Sequence, residues 1–377
     1  MRLKKIFQLI IIICVLSSLG QFSMAQMAMR PFSNTSPWNH PIERNAVYKE
    51  VKEMVGISLG LNYNEWTCGF YTAKNSDGTG TLYFQNDMWN ILKHGVNIGK
   101  MYYKVYNDSN LPIVEAYLRA NAHPLPYRPN TTIPWPANFY STITPGSSDP
   151  SWPKAVVLQA SKAYFSNTFY IPEGAVPSPD VDGLIAILQP NGMTLDCINA
   201  VVCSNGDIVC SMASYVDTSG EGTGLSNGRR ASLIPSFAGL IRDGEISSGD
   251  IKHALVCLMS ATVLKEEALW PAFAWDTNAG YTGSLPMGAL LAIPRDINIE
   301  SIGLTANGKC LAKALQNYGV YVADRGGPGG MSLLAELNAR DLRWSGWLQD
   351  LNIIIPYLKW VVNNSPLNRG GGVKNGK

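Results

Sequence analysis

Residues 183–216 read GLIAILQPNGMTLDCINAVVCSNGDIVCSMASYV. Three apolar runs, GLIAILQ, MTLDCINAVVC and DIVCSMASYV, are separated by Pro190-Asn191-Gly192 and by Asn205-Gly206. Asn and Gly accept the left-handed backbone that tight hairpin turns require, so this pattern predicts a three-stranded β-meander. Upstream, Tyr63–Tyr106 alternates aromatic and polar residues between Gly and Asn breaks, as in TLYFQN and MYYKVYN, and is also strand-like. Val47–Leu59 carries weak helical periodicity. Downstream, short helices are expected over Leu233–Ile241 and over Gly249–Thr262, the second capped by Ser247 or Ser248. A further helix closes over Ala314–Tyr318 before VYVAD, a buried strand. The expected class is α+β, mainly β: a β-sandwich or jelly-roll-like core with short helices packed on it.

The N-terminus predicts an export signal over residues 1–25. Arg2, Lys4 and Lys5 precede the apolar run Ile6–Leu16, and Ser23-Met24-Ala25 supplies small residues at −3 and −1. The run is short of the ~20 apolar residues of a membrane span. NIIIPYLKWVV is interrupted by Pro356 and Lys359, so no membrane span is expected after cleavage. The expected location is secreted or periplasmic. Cleavage after Ala25 removes three of the 30 Lys+Arg, leaving 27 against 28 Asp+Glu. That near-neutral balance argues against a nucleic-acid partner. Residues 26–150 read as an aromatic-rich N-terminal part of the domain with an extended lead-in over 27–45. Residues 151–362 read as the motif-bearing core, and 363–377, polar and Gly-rich, as a disordered tail. The stretch 121–154, rich in Pro, Asn, Ser and Trp, reads as a long loop packed on a sheet.

Six cysteines follow the signal, an even count that permits disulfides in an exported chain. With Asn205-Gly206 as a two-residue turn, Cys203 faces Ile208, and Cys210 is a diagonal neighbour at ~7–8 Å, far for a bridge. Bridges and buried thiols both stay open. No Cys-x2-Cys pair or His cluster is present, so no metal is expected, and no cofactor motif is found. The loop DTSGEGTGLSNGRR (217–230) lacks the GxxxxGK[ST] pattern of a phosphate cradle and reads as a mobile surface loop or lid.

His253 is the best-placed histidine. On a 249–262 helix it lies opposite the stripe formed by Ile251, Ala254, Leu255 and Leu258, with Asp250 at i−3 to hold the imidazole. Asp182 enters a strand, Asp324 ends another, and strand-end carboxylates converging on a cleft suit glycoside hydrolysis. Ten Trp and 17 Tyr suit sugar stacking, several of them in Pro/Asn-rich loops, as with Trp38, Trp66, Trp135 and Trp152. Arg229 and Arg230 have the fork geometry that grips carboxylated or sulfated sugars.

The segment 180–345 resembles a widespread, largely uncharacterised family of exported bacterial proteins. The resemblance rests on IPSFAGLIRDGEISSGDIKHAL, WPAF, LPMGALLAI and YGVYVADRGG, in that order, followed by DLRW. The family pattern carries Asp-x-His where this chain has Asp182-Gly183-Leu184, and an aromatic-Glu pair where it has Leu195-Asp196-Cys197. The resemblance supplies no activity, whereas the residue types point to a polysaccharide-active protein, hydrolase- or lyase-like, with a polysaccharide or oligosaccharide partner. Asp182, Asp196, His253 and Asp324 are the candidate acid/base groups, and Arg230 and Trp270 the candidate substrate-holding groups. The missing His and Glu leave a second reading, a non-catalytic glycan-binding or envelope protein on a degenerate scaffold. A protein-binding envelope component is a third.

Overall fold

A computed structural model describes residues 30–85, 87–98, 101–105, 111–124, 168–276, 280–337 and 339–372. Residues 1–25, where an export signal is expected, and residues 125–154 of the Pro/Trp-rich stretch lie outside them. All elements below belong to the unit Phe32–Lys377 and are numbered in chain order.

Three sheets carry the fold. The largest runs β1 (Tyr48–Lys49), β20 (Lys359–Val361), β17 (Leu290–Ala292), β18 (Val320–Gly326), β14 (Leu255–Ser260), β19 (Gly330–Leu334), β2 (Ser58–Asn62). The second runs β13 (Met212–Asp217), β10 (Met193–Ile198), β9 (Ile185–Leu188), β3 (Gly69–Thr72). The third runs β11 (Val201–Val202), β12 (Ile208–Cys210), β4 (Gly78–Phe84), β7 (His123–Pro124), with β8 (Thr168–Ile171) also on β4. Two small pairs join β5 (Val96–Ile98) to β6 (Met101–Tyr103) and β15 (Leu264–Ala268) to β16 (Leu285–Met287). Among the described residues the α-helices are α1 (Met88–His94), α2 (Leu111–Asn121), the single turn α3 (Glu245–Ser248), α4 (Ala306–Asn317) and α5 (Trp347–Ile354). The molecule is thus mainly β within the α+β class.

The sheets are mixed. β14–β18, β19–β2, β3–β9, β12–β4 and β15–β16 are parallel pairs. Parallel neighbours need long crossovers rather than tight turns, so no local pattern announces them. Early strands thereby interleave with late ones: β2 closes the large sheet beside β19, and β3 closes the second beside β9.

The expected meander is present in part. β9, β10 and β13 pair antiparallel, with Leu195 opposite both Ile187 and Tyr215. After Ile198 the chain leaves this sheet, and the β11–β12 hairpin joins the third one. Its loop has three residues, Ser204 to Gly206, because the Cys203 amide bonds the Asp207 carbonyl and Gly206 takes φ 85°. Val202, rather than Cys203, therefore faces Ile208. The six described cysteines are free and buried.

The two helices expected over 233–241 and 249–262 are replaced by turns and by a strand. Leu233 (φ 61°) and Gly239 (φ 65°) adopt left-handed backbone that ends any helix between them. At Gly239 a Cβ would lie 2.6 Å from the Trp38 ring, so the glycine admits the buried indole of the lead-in. LVCLMS becomes β14, an interior strand of the large sheet between β18 and β19, buried at all six positions. A short, continuously apolar run fits a strand buried on both faces as well as a helical stripe, and tertiary pairing decides between them. The helix ending near Tyr318 and the strand VYVAD form as α4 and β18. Two loops also differ from expectation. In 217–230, Thr223, Asn227, Arg229 and Arg230 are buried, so the loop is a strap packed into the molecule. Residues 363–372 of the expected tail are held in place. Asn363 bonds the backbone of Val47, Asn45 and Gly371, and Arg369 pairs with Glu221.

Candidate functional site

A cleft of about 480 Å³ opens where one end of the second sheet meets the large sheet. Its floor is a row across adjacent strands. Asp324 of β18 stands opposite Leu258 of β14, which stands opposite Ser332 of β19, and all three line the cleft. The position of Asp324 depends on a β-bulge. Cys257 faces Val322 and Leu258 faces Asp324, so Ala323 is the extra residue. Paired residues share a face of a sheet, so the bulge moves Asp324 from the face of Val322 to that of Leu258.

Asp182 arrives from the opposite wall, in the turn that enters β9. Asp180 builds that turn: its Oδ1 accepts the Asp182 amide (2.8 Å) and the Gly183 amide (3.3 Å). Its Oδ2 accepts the Trp66 amide at 2.6 Å. The adjacent carboxylates Asp180 and Asp182 therefore divide the work, the first shaping backbone and the second reaching the cleft. Trp66 stands at the rim, 41% exposed, on left-handed backbone with φ 56°. A large aromatic at a non-glycine positive φ is uncommon and belongs with sites whose surroundings over-determine it. Asp276 completes the acidic set, accepting a 3.4 Å hydrogen bond from the Tyr281 hydroxyl.

The strap 228–233 forms a further wall. Gly228 donates to the Leu233 carbonyl, and Arg230 donates to that of Ile234. A Cβ on Gly228 would meet Pro235 N at 2.2 Å, so only glycine allows this crossing. The strap's Ala231 amide donates to Asp324 Oδ2 at 3.1 Å, and the Arg325 amide to its Oδ1 at 2.8 Å.

The three carboxylates are electrically uneven. Burial first, then the Asp324 and Asp180 charges, push Asp182 up to about 7 against the pull of Arg230. Burial and then Asp324 push Asp276 to about 7, with Arg325 and the Tyr281 hydroxyl opposing. Burial also raises Asp324, but Arg230 and its two backbone N–H donors favour its charged form. All three carboxyls are thus pushed toward their protonated forms, and at Asp324 the Arg230 charge and the two backbone N–H donors oppose that push without reversing it. Carboxyls perturbed together in one cleft are candidates for acid/base work.

Of the residues expected from sequence, Asp182, Asp324 and Arg230 are brought together here. Asp196, His253 and Trp270 are not among the cleft's lining residues. Asp196 is sealed on β10 with no exposure, accepting the Ser236 amide at 3.0 Å and the Ser236 hydroxyl. It anchors the turn behind the strap, and burial raises its pKa. His253 sits in the loop before β14 instead of on a helix. Its Nε2 meets both Glu245 carboxylate oxygens at 3.1 Å, and its Nδ1 lies 2.9 Å from the Ala254 carbonyl. Asp250, the partner expected for it, pairs with Lys252. Trp270 is 2% exposed and packs with Leu233, Phe273 and Ala274, so it serves the core behind the strap. Asp276 and the rim role of Trp66 escaped sequence reading. Asp276 follows the run AFAW without any motif, and only folding brings it beside Asp182 and Asp324.

Among the described residues no group of His, Cys, Asp and Glu is arranged to hold a metal ion. Compared with protein-family models, curated proteins and solved structures, the chain finds no match.

Proposed function

We propose that the protein is an exported polysaccharide-active enzyme of the glycoside hydrolase or lyase type, working in the Asp182/Asp276/Asp324 cleft. The observation that carries this reading is the gathering of three carboxyls with raised proton affinity, Asp182, Asp276 and Asp324, in one cleft beneath an exposed tryptophan. Glycosidic cleavage needs one group that gives a proton to the leaving oxygen. It also needs a second, ionised group that acts on the sugar or on water. Asp182 fills the first role and Asp324 the second, with Asp276 tuning the shared charge. Trp66 offers an indole face to the C–H face of a sugar ring. Export rests on the signal-like residues 1–25, and the motif resemblance over 180–345 agrees with it.

The alternative, a non-catalytic glycan-binding protein, is favoured by one observation. Two positions expected to be catalytic, Asp196 and His253, are committed to structural hydrogen bonds.

The two readings part in one experiment. Purified protein is screened against a polysaccharide panel, reading new reducing ends and unsaturated-product absorbance. The enzyme reading expects turnover that disappears in Asp324→Asn and persists in His253→Ala. Saturable binding without turnover would replace it by the binding module, and absence of both would sink the glycan assignment.

A further inference from the structure

We infer that the cleft takes an anionic sugar of the uronate class, its carboxylate seated on the guanidinium of Arg230. This rests on the glycan reading above and narrows its substrate.

Arg230 is 2% exposed, yet its donors are poorly used. Nη1 reaches the Trp66 carbonyl at 3.5 Å and Nη2 the Ser236 carbonyl at 3.4 Å, both at the outer limit of a hydrogen bond. Nε is buried with no partner. A buried guanidinium ordinarily takes a carboxylate in a bidentate pair, because an uncompensated buried charge is costly. Among the described residues no carboxylate makes an ion pair with Arg230, although the charges of Asp182 and Asp324 both feel it. Its charge is balanced at a distance, and the side chain lines the cleft with its hydrogen-bonding fork only weakly engaged. That is the arrangement expected of a group awaiting a planar anion.

Two further observations select a uronate. Trp66, whose carbonyl touches Arg230, is the exposed rim aromatic, so an apolar ring face and a carboxylate seat are held side by side. A uronate presents those two features on one pyranose. The cleft also contains Arg229, Arg230 and Arg325 beside its three aspartates. Because Asp182 and Asp276 keep protons up to about 7, cations outnumber anions there at mildly acidic pH. An anion is then admitted rather than repelled.

The test is calorimetric titration of the intact protein at pH 6 and pH 8. The probes are glucuronate, galacturonate, glucose, galactose and glucose 6-sulfate. Uronates are expected to bind at least about tenfold more tightly than the matching neutral sugars at pH 6, as one charge-assisted contact implies. The advantage should shrink at pH 8, where Asp182 and Asp276 ionise. Arg230→Gln should remove it, and Arg230→Lys should restore part of it. Equal affinity for uronate and neutral sugar in the intact protein overturns the inference, whether or not the variants fold. A preference for the sulfate ester overturns the uronate assignment. Binding of neutral sugars alone sinks this inference and spares the glycan reading; binding of no sugar removes both.

Discussion

The Glu245–His253 pair and the Asp182/Asp276/Asp324 cleft treat their charges in opposite ways. Around His253 every donor and acceptor is matched. Both Glu245 oxygens face Nε2, Glu245 Oε2 also accepts the Arg242 amide at 2.7 Å, and both side chains are about 11–12% exposed. In the cleft, no hydrogen bond reaches the Asp182 carboxylate among the described residues, Arg230 Nε has no partner, and like charges face one another. A fold gains stability from the first arrangement and loses it in the second. The unsatisfied cluster is where work on a ligand is expected.

Removing a cleft acid gives the sharpest test of that contrast. Asp182→Asn should lower turnover on the best panel substrate by about a thousandfold or more, the scale of losing a positioned general acid. The same variant should be more stable than the parent at neutral and alkaline pH. An unfolded aspartate titrates near its ordinary 3.8, whereas Asp182 in the fold keeps its proton to about 7. Between those values the native state holds the extra proton, so the parent's stability falls as pH rises through this window. The variant should escape the fall, gaining about 4 kcal/mol at pH 8 and nothing near pH 3. Urea melts at the two pH values read this directly. A parent whose stability rises from pH 4 to pH 8 at this site would contradict the burial argument.

Trp66→Ala should act on binding rather than on chemistry. A rise in KM of about tenfold with kcat within about threefold is expected if the indole is a sugar platform. Trp66→Phe should recover most of the loss. A fall in kcat with KM unchanged would move Trp66 from platform to support of the Asp180 turn.

His253→Ala should show the smallest functional effect. Loss of its hydrogen bonds to Glu245 should cost about 1–2 kcal/mol of stability, read as a lowered urea midpoint, with kcat/KM within about twofold of the parent. A hundredfold loss of activity at unchanged stability would reverse the comparison and return His253 to the site.

Much of the architecture was legible in short-range pattern. The Asn-Gly turns marked the β9–β10 and β11–β12 hairpins. Asp182 and Asp324 stood out as strand-end carboxylates, and Arg230 by its residue type. What failed, failed where two structures share one local pattern. Ile251, Ala254, Leu255 and Leu258 form a helical stripe on paper. Pairing with β18 and β19 instead buries LVCLMS on both sides as β14. The mistaken helix carried His253 with it, since facing direction on a helix meant nothing once the element was a strand.

Residue type and spacing alone thus settled the mainly β class and which side chains had chemistry to offer. Tertiary structure settled which of them meet. A bulge at Ala323 turns Asp324 into the cleft, and an Asp180 turn places Asp182 and Trp66 together. A glycine crossing at Gly228 lets the strap bury Arg230. Proton affinity and charge balance depend on burial and on neighbours that are remote in sequence. Asp276 lies 94 residues from Asp182 in the chain yet lines the same cleft, and no reading of local pattern could join them.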